Sequence, residues 1–346
     1  ELGIPLGMAV EDVARAIREH PDAKAVLVNN PTYYGVCTDL RSIAKLAHDA
    51  GMRLLVDEAH GTHFYFSDKL PISGMEAGAD MCAVSLHKTG GSLTQSSLLL
   101  LGPRMHDENG YVRQIINLTQ TTSASYLLLS SLDITRRNLV LRGESIYQRV
   151  IDLANYARGE INLIGGYDAF GEEKCDGGAF FAFDLCKLPV HTRPMGLSGI
   201  EVYDLLRDDY DIQIEFGDLH NFLAIMAVGD RPVGIERLIA ALADIRHLHG
   251  TEPAHDMVNE YIEPVVVMTP AEAFYAPAES LPLGECEGRV AVESVMCYPP
   301  GIPILAPGER VTPEALEYIR YAKEKGSQMT GTEDSAVEKL YIVLEQ

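Results

Sequence analysis

Residues 56–66 read "VDEAHGTHFYF" and residues 83–97 read "AVSLHKTGGSLTQSS". Each opens as a short apolar run and closes on titratable side chains: Asp57, Glu58, His60 and His63 in the first, Ser85, His87 and Lys88 in the second. Short apolar runs bounded by Gly, Asn or Pro read as buried strands. Before the first lies "DLRSIAKLAHDAG", a helix with Asp39 as N-cap and Gly51 as its stop. Earlier still, "AKAVLVNNP" is a strand ended by a turn, and "MAVEDVARAIREH" places Val10, Val13, Ala14 and Ile17 at helical spacing. "SSLLLLG" adds a further strand. Helices alternating with strands whose runs are buried on both faces predict a parallel sheet. Such sheets hold ligands beyond the carboxyl ends of their strands, where Asp57 and Lys88 fall.

From about residue 125 the pattern changes. "SYLLLSSLDITRRNLVLRGESIYQRVIDLANYARGEINLI" predicts one or two helices with a break near Gly143. Strands are expected at "GAFFAFDL", "IQIEF" and "NFLAIMAVG", and helices at "SGIEVYDLLRDDY" and "RPVGIERLIAALADIRHLHG". "TEPAHDMVNEY" reads as a linker, and the remainder holds the helix "TPEALEYIRYAKEKG" and the Pro-rich loop "CYPPGIPILAPGE". Three domains are expected, at 1–135, 136–250 and 262–346. With 28 basic against 50 acidic residues, a net charge of −22, the chain is no nucleic-acid binder. Without an apolar run of membrane-spanning length or a basic-then-apolar stretch at its start, no membrane span and no secretory signal are expected. Six cysteines without a CxxC pair point to the reducing cytoplasm. The first residue is Glu, so a start inside a longer parent is expected.

Three chemistries compete for these residues. Asp57, His60 and His63 are metal-ligand types three apart, but Gly61 interrupts them and on a strand His60 would face away, so no metal is expected. "HKTGGS" has its glycines after the Lys, the reverse of a phosphate-binding P-loop. Pyridoxal 5'-phosphate (PLP) needs a Lys amine for its aldehyde, a carboxylate facing its ring nitrogen, and donors for its phosphate. Lys88, Asp57, and the flanking Ser85 and His87 supply that set. Taken alone, a lone loop Lys is more often simply solvated.

Further blocks match in order: "PISGMEAGADMCAVSLHKTGGSLTQSS", "TTSASYLLLSSLD" and "GRVAVESVMCYPPGIPILAPGE". With "VDEAHGTHFYF" they resemble the Orn/Lys/Arg decarboxylases, from "PTYYG" at 31–35 to the final helix, and most closely the short bacterial biosynthetic arginine decarboxylases. The resemblance implies an α/β PLP-dependent large domain of the aspartate-aminotransferase type (fold type I), incomplete at its N-terminus, then a small α/β domain and a C-terminal α+β domain. It implies that Lys88 is the Schiff-base lysine, Asp57 the ring-nitrogen partner, Ser85 and His87 phosphate or cofactor contacts, and Ala59 the small residue on the ring face. His60 lies near the site, as a cofactor contact or a structural hydrogen-bonder. Thr121, Thr122 and Ser123 match a segment that reaches the cofactor across a homodimer interface.

Two departures stand out. Many members read H-K-T-L-G where this chain has Gly90-Gly91. The family's phosphate-cradling loop and ring-stacking side chain lie upstream of the strand that begins near Ala23, so they are expected before Glu1. The implied reaction is decarboxylation of a basic amino acid, arginine to agmatine, for polyamine biosynthesis. A guanidinium wants a bidentate carboxylate, for which Glu293, Glu215 and Asp218 are candidates, each equally readable as an ordinary surface or structural carboxylate. Lysine or ornithine decarboxylation, another reaction of the same fold such as transamination or aldol cleavage, and an inactive chain acting through association stand as alternatives.

Overall fold

The computed structural model describes residues 2–251, 262–298 and 301–344. In chain order its elements are α1 (Val10–Glu19), β1 (Ala25–Asn29), β2 (Val36–Cys37), α2 (Leu40–Asp49), β3 (Arg53–Asp57), α3 (Gly74–Ala77), β4 (Met81–Val84), α4 (Leu86–Thr89), β5 (Leu98–Leu101), α5 (Asn109–Thr119) and α6 (Tyr126–Ile164). There follow β6 (Asp168–Ala169), β7 (Ala182–Phe183), β8 (Lys187–His191), α7 (Gly199–Asp208), β9 (Phe216–Gly217), β10 (Asn221–Ile225) and α8 (Pro232–His249). The last are α9 (Pro270–Tyr275), β11 (Ala278–Pro282), β12 (Val295–Tyr298), β13 (Ile302–Leu305), α10 (Pro313–Glu324), β14 (Gln328–Thr330) and β15 (Lys339–Val343). These fall into two compact units: Ile4–His191 with Leu223–Leu248, and Glu1–Gly3 with Thr192–Phe222 and His249–Gln346.

The first unit is built on a sheet of order β1-β3-β4-β5. β1, β3 and β4 run parallel, with Asn29 level with Asp57 and Asp57 level with Ala83. β5 departs from the expected parallel order and pairs antiparallel with β4. The connection between them is spent on the single turn of α4 and a loop, so the chain doubles back instead of crossing over. Val13 of α1 and Leu40, Ile43, Ala44 and Ala47 of α2 pack with Val28, Leu54, Val56, Cys82 and Val84. Alternate strand residues point the other way: Leu27 is 66% exposed, and Ala83 and Leu99 are exposed too. Burial on both faces, expected from the unbroken apolar runs, is therefore met on only one face by the described residues.

Asp39 caps α2 by accepting from the Ser42 N–H at 3.1 Å, and Gly51 follows its end at φ +74°. α6 runs 39 residues without the break expected at Gly143. A Cβ at Gly143 would lie 2.7 Å from the Phe66 Cβ, so the glycine lets the helix approach residues 62–66 closely.

In the second unit α7 starts with a reciprocal Ser198–Glu201 capping box. A three-stranded sheet of order β13-β12-β14 and the β11–β15 pair surround a core that includes Val295, Leu305, Leu316, Ile319, Leu340 and Ile342. The strand expected at "IQIEF" is confined to Phe216–Gly217, with Asp211 at φ +53° just before it. Most of the expected linker, 252–261, lies outside the described residues, as do Pro299 and Pro300 of the Pro-rich loop. Among the described residues no helix is long and apolar enough to cross a membrane.

Candidate active site at the carboxyl ends of the sheet

Asp57 closes β3 and is exposed; its Oδ1 accepts the Ala59 N–H at 3.1 Å. The other carboxylate oxygen makes no hydrogen bond among the described residues. The half-buried Ala59 follows, and between them Glu58 turns inward and is fully buried. Glu58 accepts from the Tyr65 hydroxyl at 2.5 Å and the Gly74 N–H at 2.8 Å, tying the loop after β3 to the start of α3. Burial raises its carboxyl to about 7 even against those bonds.

Ser85 follows β4 directly and stands at the N-cap of α4, half-buried. Two residues on, the His87 Nδ1 lies 2.9 Å from the Ser96 carbonyl, which fixes the proton on that nitrogen because a carbonyl only accepts. Lys88, also in α4, is exposed, and its Nζ lies 3.2 Å from His60 Nε2. The Gly90-Gly91 pair ends the turn: Gly91 has φ +90°, and a Cβ on Gly90 would lie 2.8 Å from the Leu86 carbonyl.

His60 is held from three sides. Its ring packs 4.4 Å from that of Tyr33, Nε2 faces Lys88, and Nδ1 lies 3.1 Å from the Nζ of Lys187, the first residue of β8. Burial first, then the Lys187 and Lys88 charges, push the imidazole down to about 2. Lys187 itself is fully buried, with its Nζ 5.7 Å from the centre of the Tyr33 ring. Beside it Asp184, also buried, lies 2.8 Å from His63 Nε2. Burial would raise the Asp184 carboxyl, but the His63 and Lys187 charges outweigh it and hold it below its ordinary value. Asp57, His60 and His63 thus take separate partners. His63, Asp184 and Cys186 lie close enough to share a metal ion, but His63 Nε2 and Asp184 Oδ1 already satisfy each other.

The fold therefore brings Asp57, Ala59 and His60 on one loop beside Ser85, His87 and Lys88 on the neighbouring one. Thr121, Thr122 and Ser123 are exposed between α5 and α6 and make no hydrogen bond to this cluster. Glu215, Asp218 and Glu293 belong to the other unit. Asp218 accepts from the His220 and Asn221 N–H groups at 2.8 and 2.7 Å, and Glu293 from those of Glu333 and Tyr341, both at 2.9 Å. Glu215 is exposed. Sequence reasoning missed Tyr33, Glu58, Asp184 and Lys187. For Lys187 the signal was a cation inside the apolar run "DLCKLPV".

Comparison with known proteins identifies the family. The chain is 42% identical, over its whole length, to an arginine decarboxylase of Bacillus subtilis (strain 168), of which it spans 71%. Its fold is similar to that of lysine decarboxylase A from Pseudomonas aeruginosa, with a TM-score of 0.76 at 18% identity over 97% of this chain and 60% of that one. An alanine–glyoxylate aminotransferase from Nostoc sp. matches with a TM-score of 0.56 at 17% identity, over 69% of this chain and 65% of its own. The architecture is thus the fold type I expected from the resemblance. The family models for the Orn/Lys/Arg decarboxylase major domain and C-terminal domain match residues 1–187 and 252–337, and the chain belongs to the Orn/Lys/Arg decarboxylase family.

Proposed function

We propose that this chain carries the PLP-dependent decarboxylation of arginine to agmatine, in a homodimer of the cytoplasm that feeds polyamine synthesis. The observation that carries the reading is the meeting of the exposed Lys88 amine, through His60, with the loop that begins at Asp57. The donor set fits the cofactor. Lys88 offers a primary amine, Asp57 a carboxylate oxygen without a hydrogen-bond partner among the described residues, Ser85 a hydroxyl beside the amine, and Ala59 a side chain small enough to lie under a flat ring. When bound, PLP supplies an electron sink for the pair left behind as carbon dioxide departs.

The chain's residues do the rest. Lys88 Nζ would hold the cofactor through its aldehyde. The Asp57 carboxylate keeps a proton on the ring nitrogen, which sustains the sink. Ser85 and His87 would contact the phosphate end. Lys88 Nζ and His87 are the chain's donors for the proton that replaces the carboxylate at the α-carbon. Thr122 and its neighbours serve the partner subunit's site, which accounts for their exposure in a single chain. The identity to a named arginine decarboxylase favours arginine over lysine or ornithine.

The test is to supply the complete gene product with PLP and arginine, lysine or ornithine and follow carbon dioxide and amine. Agmatine with equimolar carbon dioxide, and the highest kcat/KM on arginine, is expected. A keto acid without carbon dioxide would move the reading to an aminotransferase.

A further inference from the structure

Lys88 rides on α4, a single turn of four residues. A turn that short has little stability of its own, because nucleation costs more than its few bonds return. Within it the Gly90 N–H donates to the Leu86 carbonyl at 2.9 Å and the Lys88 N–H to the Ser85 carbonyl at 3.2 Å. Its start is tied to the loop that follows, where the Ser96 carbonyl accepts the His87 N–H at 3.3 Å. Its last carbonyl, that of Thr89, needs a partner from elsewhere, as helix-end carbonyls do. Tyr147 of α6, 2% exposed, supplies it: the hydroxyl donates to the Thr89 carbonyl at 3.0 Å.

Tyr147 belongs to a buried stripe. Leu139, Gly143 and Tyr147 recur every four residues and share one face of α6. Leu139 lies against the end of α4, since a Cβ on Gly90 would stand 3.5 Å from Leu139 Cδ1 and 3.4 Å from Thr62 Cγ2. Gly143 admits Phe66, and the Tyr147 ring stands 5.6 Å from the His63 ring, centre to centre. Thr62, His63 and Phe66 continue the loop that carries Asp57, Ala59 and His60. One face of one helix therefore meets both the turn of Lys88 and the continuation of the Asp57 loop, and Tyr147 meets both at once, by its hydroxyl and by its ring. Lys88 is exposed, so packing around its own side chain does not fix it; the turn beneath must. Its 3.2 Å contact with His60 also links the two loops, but that contact is made by the reacting nitrogen and is no fixed brace.

We propose that α6 positions Lys88, with Tyr147 as the positioning residue: its hydroxyl and the Leu139 side chain pin the end of the α4 turn, its ring pins the 62–66 segment, and the Lys88 nitrogen is thereby held in register with Asp57. The need for such a brace is kinetic. A reacting group displaced by about 1 Å can lose about 10²-fold in rate, and a one-turn helix cannot hold that tolerance unaided. The inference deepens the proposed function and rests on Lys88 as the cofactor lysine.

Tyr147→Phe keeps the ring and removes the hydroxyl. Tyr167→Phe is the matched control in the same unit, because the Tyr167 hydroxyl also donates to a backbone carbonyl at 3.0 Å, that of Leu242 in α8, which belongs to neither loop. Both variants of the complete gene product are examined first without cofactor, by hydrogen–deuterium exchange. Peptides covering residues 86–92 should exchange several-fold faster in Tyr147→Phe, the effect of losing one net hydrogen bond, and as wild type in Tyr167→Phe. With PLP bound, Tyr147→Phe should lower kcat on arginine roughly tenfold or more with KM little changed, and should shift the pH midpoint of the bound-PLP absorbance. Tyr167→Phe should keep the wild-type kcat and midpoint whatever stability it loses. A Tyr147→Phe protein that matches the control in all three readouts would overturn the proposal. So would faster exchange with kcat and midpoint unchanged, which would leave Tyr147 a merely structural role. Should Tyr147→Phe not fold, Leu139→Val trims the contact on Gly90 from the same face and is read the same way, and wild-type exchange and midpoint there would overturn the proposal. The cofactor-free exchange does not depend on which lysine takes PLP; that assignment falls separately, to a reductive label on another lysine.

Discussion

At the scale of single residues, two adjacent carboxyls on one loop have opposite fates. Asp57 is exposed with one oxygen unpartnered among the described residues, while Glu58 is fully buried. Asp57→Asn keeps the shape and removes the charge. Turnover should fall by roughly 10²–10³, the loss expected when a preorganised electrostatic partner is removed, with an unchanged circular dichroism spectrum. Turnover within about threefold of the wild type, too small for a transition-state charge interaction, would show that Asp57 does not face the ring nitrogen. Glu58 makes a stability prediction. Its folded value of about 7 lies above the ordinary 4.5, so the folded state binds this proton more tightly. Its contribution is complete below pH 4.5 and is lost as the pH rises through 7, an effect on the order of 3 kcal/mol. Urea unfolding of Glu58→Gln against wild type should favour the variant increasingly from about pH 5 to about pH 8. A difference that stays flat across that range would mean the Glu58 proton is not retained in the folded state. Asp57 and Lys88 were legible as strand-end residues, whereas Lys187 was not. It comes from a distant segment, and nothing local shows that its chain runs under His60.

At the scale of elements, local signals were readable where an element carries its own chemistry. The Asp39 cap, the apolar stripe of α2 and the runs of β3 and β4 all form as their sequences indicate. β8, "KLPVH", was not readable: a buried Lys and a Pro erase the strand pattern, and its antiparallel pairing with β6 supplies what the sequence does not. Gly143 was read as a break because helix-interior glycine is locally unfavourable, yet the approach of Phe66 requires it. Gly143→Ala should therefore invert the usual helix rule. An alanine in a helix interior ordinarily gains about 0.5–1 kcal/mol over glycine. Here the Cβ would meet Phe66 Cβ at 2.7 Å and its carbonyl at 3.0 Å, and overpacking of that kind costs about 1–3 kcal/mol. Thermal unfolding at fixed pH reads the sign, and a stabilised variant would show that the helix can shift away from Phe66.

At the scale of the whole molecule, the net charge of −22 set aside nucleic acid, and four separated blocks in order carried the family, which the match over the whole chain bears out. The site itself was legible to the extent that it is made of strand ends: one parallel register places Asp57 beside Ala83, two residues before Ser85 and five before Lys88. The support around it depends on segments more than a hundred residues away in sequence, which no local pattern could pair. The structure also contains a rival to Lys88, since Lys187 approaches the other edge of the same His60 ring. The most direct measurement is reduction of the PLP-loaded gene product with borohydride, followed by peptide mapping. The pyridoxyl label should fall on Lys88, in the peptide containing "SLHKTGG". Label on Lys187 or any other lysine would contradict the account.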